Sequence, residues 1–335
     1  MEKRTWEFSP DTRVLASAAV AGPMERKGII GKYLDHSFDD LYAGEDTWEK
    51  AERKMLSTAV DTAIHKSGKK EKEIGVYLAG DLLNQNITAS FSAQKLGIPF
   101  MGIYGACSSS MLSTTLGSSL VSAGFVQHAV IGVSSHNCTA EKQYRYPTEY
   151  GGQKPNTAQW TVTGAGAAVI GKAKKGPRIR FATIGKVMER GVKNPFDMGS
   201  AMAPAAADTI ISHFKDTGRT PSDYDLIVTG DLATVGHPIA RELIFQAGYD
   251  MGSQFSDCGL MIYNKDQETF AGGSGCASSA IVTYGRLMQE LTEGKYKKIL
   301  VIATGALLSP VSYQQGENIP CIAHAVAFEN DQPST

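Results

Sequence analysis

Gly105-Ala106-Cys107-Ser108-Ser109-Ser110-Met111 closes one apolar run and opens a stretch rich in Ala, Ser and Leu that ends near Gly124, after which comes His128-AVIGVSS. Much later the chain repeats itself: Gly275-Cys276-Ala277-Ser278-Ser279-Ala280 opens a second such stretch, to about Glu293, followed by Lys298-ILVIATG. Cys107 and Cys276 stand 169 positions apart, and the two following runs 170 apart. Further out, IGVYLAGDL from Ile74 is answered by DLIVTGDL from Asp225, which places Asp231 150 positions after Asp81. VTGAGAAVIGK (Val162 to Lys172) likewise matches CIAHAVAFEN (Cys321 to Asn330) at an offset of about 158.

A period this long is not that of a solenoid and implies two similar α/β halves. The glycine- and lysine-rich segment GKAKKGPR (Gly171 to Arg178) reads as their joint, giving halves at residues 1–174 and 175–335. The drift in offset places an insertion near Tyr249 to Glu268 in the second half and extra residues at His136 to Trp160 in the first. The matching runs are short and unbroken rather than alternating, as expected of strands buried on both faces in a mostly parallel sheet. Helices are expected at Trp48 to Lys66, Ile87 to Leu96, Ser200 to Phe214 and Ile239 to Ala247. Two such halves side by side bring matching strand ends together, so a site is expected where the helix after Cys107 meets its twin after Cys276.

Composition removes several classes of function. Among 335 residues, 33 Lys and Arg face 34 Asp and Glu, a formal charge of −1, which argues against a basic face for nucleic acid. The longest apolar stretch, Ile299 to Leu308, falls well short of the roughly 20 residues that span a bilayer. MEKRTWEFSP has no apolar core or cleavage site behind it, so the chain is expected to remain inside the cell. The five Cys (107, 138, 258, 276, 321) are odd in number and lack CxxC spacing, which disfavours a disulfide framework and a zinc site.

Cys107 ends a strand-like stretch and opens a helix, where unsatisfied N–H groups lower a thiol pKa and attract anions. With Ser108 and Ser109 beside it, a functional role is favoured over that of a small buried turn residue; for Cys276 the structural role is favoured. Asp81 and Asp231 each follow Gly at a strand end and face either the crevice or the first turn of a helix as caps. Asn84, Gln85 and Asn86 follow Asp81, a polar cluster suited to a pocket wall. His136 can reach the crevice from the strand after the Cys107 helix, and His324, inside apolar CIAHAVAF, is a buried imidazole that needs a partner. Glu141 to Thr157 joins Arg145 and Lys154 to three Tyr, a long loop of the kind that carries function or an interaction surface.

These segments resemble a known family. The doubled α/β pattern, GACSSSM and CIAHAVAF resemble the thiolase superfamily of thiolases and ketoacyl-ACP synthases, which implies a thiolase-like fold of αβαβα layers. Within it, AGDLLNQN, SSHN, AEKQYRYPTEYGGQKP, DMGSAMAPAAADTI, DCGLMIY, AGGSGCASSA, ATGALLSP and IPCIAHAV resemble the stage V sporulation protein AD family of spore-forming Bacillota. The superfamily's catalytic set is a Cys nucleophile at the position of Cys107 and two second-half His or Asn residues. The latter positions fall at Gly230-Asp231 and Gly273-Ser274, which offer neither imidazole nor amide. No base for the thiol or donor set for a thioester oxyanion is evident. The expectation is therefore a protein that is not an enzyme, with no catalytic residues, no cofactor and no resident metal.

The closer resemblance implies binding of dipicolinic acid (pyridine-2,6-dicarboxylate), with Ca²⁺, for uptake into the developing spore and release at germination. It implies work with other SpoVA-operon membrane proteins, a forespore location peripheral to the inner spore membrane, and, by superfamily analogy, a homodimer. On this reading the ligand site draws on Cys107, Ser108 and Ser109 at the helix start, with Asp81, Asn84 and Asp231 nearby. His136, Arg145 and His324 are its candidate cations. The aspartates are awkward beside a dianion and would pair with a cation, hold Ca²⁺ or stay protonated. The alternative is an acyltransferase using Cys107.

Overall fold

The computed structural model describes residues 2–144 and 154–330. Ten of its strands fall into two sets of five, with the short Thr5–Glu7 and His36–Ser37 added to the same sheet and Trp160–Thr161 paired with Gly273–Ser274 apart from it. The first holds β1 (Thr12–Ala21), β2 (Val76–Gly80), β3 (Phe100–Gly102), β4 (His128–Ser135) and β5 (Gly164–Lys172), in the spatial order β3-β2-β4-β5-β1. The second holds β6 (Arg178–Thr183), β7 (Leu226–Thr229), β8 (Phe255–Asp257), β9 (Lys298–Ala306) and β10 (Cys321–Glu329), in the order β8-β7-β9-β10-β6. The two orders are the same, which is the internal repeat written in space. In each set four strands run in one direction, while β5 and β10 lie antiparallel to both neighbours. The expected mostly parallel sheet holds for four strands in five of each half, and each half ends by turning its last strand back between two of the others. The sets share one pair, Arg13 with Arg178.

Helices α1 (Trp48–Lys66) and α2 (Ile87–Leu96) cover the outer face of the first set, and α5 (Met198–Thr217) covers that of the second, with α6 (Ala233–Gln246) packed on it. Between the sets lie α3 (Ser109–Ser122) and α7, residues 276–292, whose middle Val282–Leu287 is π-helical. The layers run helix, sheet, helix, sheet, helix, and three apolar clusters fill the gaps between them. A Ser/Thr-rich helix survives at the centre because its hydroxyls bond back to the preceding turn, as Thr114 to Ser110 O (2.8 Å) and Thr115 to Met111 O (2.7 Å). The two central helices meet through matched residues: Ser110 and Ser279 hydroxyls are 2.6 Å apart.

Sequence signals set most boundaries. Thr47 caps α1 by accepting from Lys50 N–H (3.3 Å), and Asp197 caps α5 by accepting from Ser200 N–H (3.3 Å). α5 extends past the expected Ser200 to Phe214 at both ends and keeps Pro204 within it. α6 begins at Ala233, ahead of the expected Ile239, with Pro238 inside its second turn. There the helix start is dictated by a distant carboxylate, Asp257, which no local pattern reveals. The inserted stretch Tyr249 to Glu268 contains β8, the counterpart of β3.

Candidate functional site

Cys107 sits where the central helices begin. Ala106 before it has φ +49°, a left-handed conformation that costs a non-glycine residue about 1 kcal/mol or more. The turn is held from within: Ser108 Oγ–H donates to Gly105 O (2.6 Å), Ser109 Oγ–H donates to Ala106 O (2.7 Å), and Gly105 N–H donates to Ser109 Oγ (3.0 Å). The Cys276 thiol donates to Ala106 O at 3.1 Å from the facing helix. β9 crosses so close that a Cβ on Gly305 would lie 2.3 Å from Gly105 O. Cys107 is 9% exposed, and Ser108 and Ser109 are fully buried. The two hydroxyls therefore build the turn rather than line the cavity beyond it.

That cavity, about 40 Å³, is walled by Leu82, Ala106, Cys107, Ala140, Tyr144 and Thr161 from the first half. Met198, Ser274, Gly275, Ala306 and Leu308 close it from the second. It holds one or two water-sized occupants as it stands. The Tyr144 hydroxyl donates to Leu82 O, tying α4 (Asn137–Tyr144) to the loop after β2. The hydroxyls of Thr161 and Ser274 make no hydrogen bond to the described residues. Sequence reasoning missed most of this lining, because Tyr144, Thr161, Met198 and Leu308 come from four separate segments whose convergence is purely tertiary.

Beneath Cys107 lies Asp231, 1% exposed. Its carboxylate accepts from the Thr304 hydroxyl (2.5 Å) and Gly275 N–H (3.1 Å), and its charge acts on the Cys107 thiol. Gln159 Nε2 donates to Asp231 O (2.6 Å) and fixes its backbone. Burial, with Asp257 nearby adding repulsion, pushes the Asp231 carboxyl up to about 7. Burial first, then the Asp231 charge, raises the Cys107 thiol well above its ordinary range, against a smaller opposite pull from Gly275 N–H. Cys107 is therefore a protonated thiol, the reverse of an activated nucleophile.

The two aspartates that match in sequence do different work. Asp81, fully buried, accepts from Leu83 N–H and Ala89 N–H, both at 2.8 Å, and so caps α2. The twin task at α6 falls instead to Asp257, which accepts from Leu232 N–H (2.8 Å), Ala233 N–H (3.1 Å) and the Thr229 hydroxyl (2.6 Å). Asp231 is thereby released to face Cys107. Behind Asp81 lies Glu52, also fully buried, accepting from Ser134 (3.0 Å) and Thr139 (2.7 Å) hydroxyls. Burial and the neighbouring Asp81 push Glu52 up to about 8.

The remaining described candidates are not among the residues that wall the cavity. Asn84 is exposed, its backbone N–H donating to Gln143 Oε1 (2.9 Å). His136 is fully buried, with Nε2 2.8 Å from Leu41 O and Nδ1 accepting from Cys138 N–H (3.1 Å). Burial lowers its pKa, so it is a neutral strut for the loop around Leu41 and not a cation. His324 Nδ1 accepts from Gly185 N–H (3.3 Å), and burial brings its pKa down to about 4, so it too is neutral. Both imidazoles lose the cationic role because their sites are dry. Cys321 is buried against the α5 side of its sheet. Arg145 lies outside the described residues. Among the described residues no cluster of three or more His, Cys, Asp or Glu is placed to hold a metal ion, and no helix is long and apolar enough to cross a membrane.

A doubled five-strand set with paired helices meeting at a cysteine turn defines the thiolase-like class. Solved structures share it: 3-oxoacyl-[acyl-carrier-protein] synthase III from Aquifex aeolicus VF5 matches with TM-score 0.58 and 14% identity, over 95% of this chain and 99% of that one. OleA from Xanthomonas campestris matches with TM-score 0.62 and 13% identity, over 96% of this chain and 99% of that one. At such identities the likeness concerns the fold alone. The sequence goes further. The family model described as stage V sporulation protein AD matches residues 2–329. Stage V sporulation protein AD of Bacillus subtilis (strain 168) is 52% identical over 327 residues, covering 98% of this chain and 97% of that protein. The chain belongs to the stage V sporulation protein AD family.

Proposed function

We propose that this sporulation-family protein is a non-catalytic binder of pyridine-2,6-dicarboxylate, accompanied by Ca²⁺, that serves uptake of the ligand into the developing spore alongside membrane partners. The observation that carries the non-catalytic half is that the Cys107 thiol is buried and the buried group near it is a carboxyl, Asp231, held by Thr304 and Gly275, in place of an imidazole or amide. A carboxylate there holds the proton on sulfur, and the described lining contains no general base. The acyltransferase alternative needs a thiolate and is disfavoured on that ground.

Ligand identity rests on the family resemblance, and the cavity's chemistry is compatible with it. Tyr144, Leu82, Met198 and Leu308 offer apolar faces to a flat ring, and Thr161 and Ser274 offer hydroxyl donors to its carboxylates. No described lining residue is a cation, which favours a ligand whose charge is balanced by a chelated Ca²⁺. Calorimetric titration with dipicolinate, with and without Ca²⁺, tests the reading. Saturable binding that is lost when Ser274→Trp fills the cavity supports it; absence of binding under both conditions overturns it. Intact-mass analysis after incubation with acyl-CoAs should find no adduct on Cys107.

A further inference from the structure

We infer that the groove between α1 and α2, on the outer face of the first strand set, docks an acidic segment of a partner protein in which carboxylates alternate with apolar side chains. The groove is separate from the Cys107 cavity and does not depend on the ligand proposed for it.

Two rows of side chains face each other here. Lys50, Arg53 and Lys54 stand three and four positions apart and share a face of α1, while Ile87, Phe91 and Lys95 stand four apart and share a face of α2. The face of α2 that meets the core is already supplied by Ala89, Ala93 and Leu96, all buried. Ile87, 40% exposed, and Phe91, 44% exposed, are therefore large apolar side chains left in solvent. Between the rows lie two adjoining hollows of about 480 and 210 Å³, which share Lys50, Arg53 and Phe91 in their walls. The fold does not demand this chemistry. The twin groove between α5 and α6, about 590 Å³, is walled mainly by Met188, Pro204, Ala207, Ile211, Ile239 and Leu243.

Charge sets the sign of the partner. Four cations line the two hollows, Lys50, Arg53, Lys54 and Lys95, against two carboxylates, Glu45 and Glu49. Glu49 is held by Lys142 at 2.6 Å, and Glu45 lies 3.6 Å from Lys54. Lys50 pairs with Asp46 (2.7 Å) and Lys95 with Asp61 (3.3 Å), both in exposed contacts of the weak kind that an incoming carboxylate can exchange. Arg53 is different. Half-buried, with its guanidinium 5.2 Å from the Phe91 ring centroid, it finds no hydrogen-bond acceptor among the described residues. Stacking occupies the flat face of a guanidinium and leaves its fork of N–H donors free, the arrangement that grips a carboxylate with two bonds. Arg4, Arg219 and Arg286, half-buried like it, each donate to a carboxylate, and Arg241 donates to carbonyls.

A second observation points to an occupant. Thr88 is 2% exposed and lines the smaller hollow with Arg53, yet its Oγ1 has no hydrogen-bond partner. A buried hydroxyl without a partner carries a cost that a bound carboxylate removes. A single small anion would use Arg53 and Thr88 and leave Ile87, Phe91 and the lysines uncovered. The α1 wall from Lys50 to Thr58 is about 12 Å long, the span of about four extended residues, so the groove suits a peptide that meets cations and apolar surface in turn.

The probe is a fluorescein-labelled peptide of four Glu-Leu repeats, titrated with the whole protein and followed by fluorescence anisotropy, with a Lys-Leu peptide of equal length beside it. Saturable binding is expected of the Glu-Leu peptide alone, weakened several-fold as salt rises from about 50 to about 500 mM. Arg53→Gln and Phe91→Ser should each weaken it about tenfold or more. Thr88→Val should weaken it while leaving the urea midpoint of the free protein unchanged, because the hydroxyl it removes bonds to nothing there. The inference is overturned if the Glu-Leu peptide does not bind, if the Lys-Leu peptide binds as well, or if all three variants bind like wild type. Competition by free glutarate at the same carboxylate concentration would make this a small-anion site and overturn it too. So would a self-association of the wild type, seen by sedimentation and lost in Arg53→Gln, which would give the groove to a second copy of the chain.

Discussion

Replacing Glu52 with Gln should make the protein more stable as pH rises. The Glu52 side chain is fully buried and pushed from its ordinary 4.5 up to about 8, by burial first and the charge of Asp81 second. The folded chain thus keeps a proton that the unfolded chain releases above pH 4.5. Stability held in full below that value is lost progressively as pH climbs toward 8, and the loss stops beyond it. Each pH unit inside the window costs about 1.4 kcal/mol. From pH 5 to pH 9 the wild type should lose on the order of a few kcal/mol through Glu52 and its partner carboxyl Asp81, a large share of a typical unfolding free energy. The amide of Glu52→Gln never ionises and keeps an oxygen for the Ser134 hydroxyl. Its new N–H₂ group can donate to Thr139 Oγ1, whose own proton then turns from residue 52 to His136 O, 3.0 Å away. Urea unfolding of both proteins from pH 5 to pH 9 measures the difference, which should widen with pH in favour of Glu52→Gln. Parallel curves across that range would refute the argument. Glu52→Ala separates the effect from loss of hydrogen bonds, since it should be destabilised at every pH.

Three further outcomes follow from the same geometry. Asp257→Ala strands the buried N–H groups of Leu232 and Ala233 and should lower unfolding free energy by about 2–5 kcal/mol in urea, with Asp257→Asn intermediate. Gly305→Ala drives a methyl into Gly105 O and should cost about 1–3 kcal/mol while weakening dipicolinate binding by calorimetry, because the Cys107 turn must move. Alkylation of Cys107 by iodoacetamide at pH 8, followed by peptide mass mapping, should be at least about tenfold slower in the folded than in the unfolded chain, and faster in Asp231→Asn than in wild type.

The legibility of this protein in its sequence varied with distance along the chain. Strands such as Val76–Gly80 and His128–Ser135 and helix Trp48–Lys66 were readable because each carries its own apolar run or cap within a few residues. The turn at Cys107 between strand and helix was readable for the same reason, since a glycine turn there is a local signal. Asp81 and Asp231 were ambiguous between cap and crevice, and the structure assigns one to each. His136 was read as a cation within reach of the crevice and is a neutral strut, because Leu41, which anchors it, lies 95 positions earlier.

The sequence by itself determined the internal repeat and the pairing of Cys107 with Cys276 at the heads of twin helices. These are matters of residue type and spacing, which the linear chain carries. Only the tertiary structure decided that Asp257 caps α6, that Asp231 is therefore free to meet Cys107, and that burial makes the carboxyl a proton acceptor near neutrality. The physical reason is competition for backbone donors: where a carboxylate points depends on which N–H groups other residues have already satisfied. That accounting closes only when strands distant in sequence lie side by side.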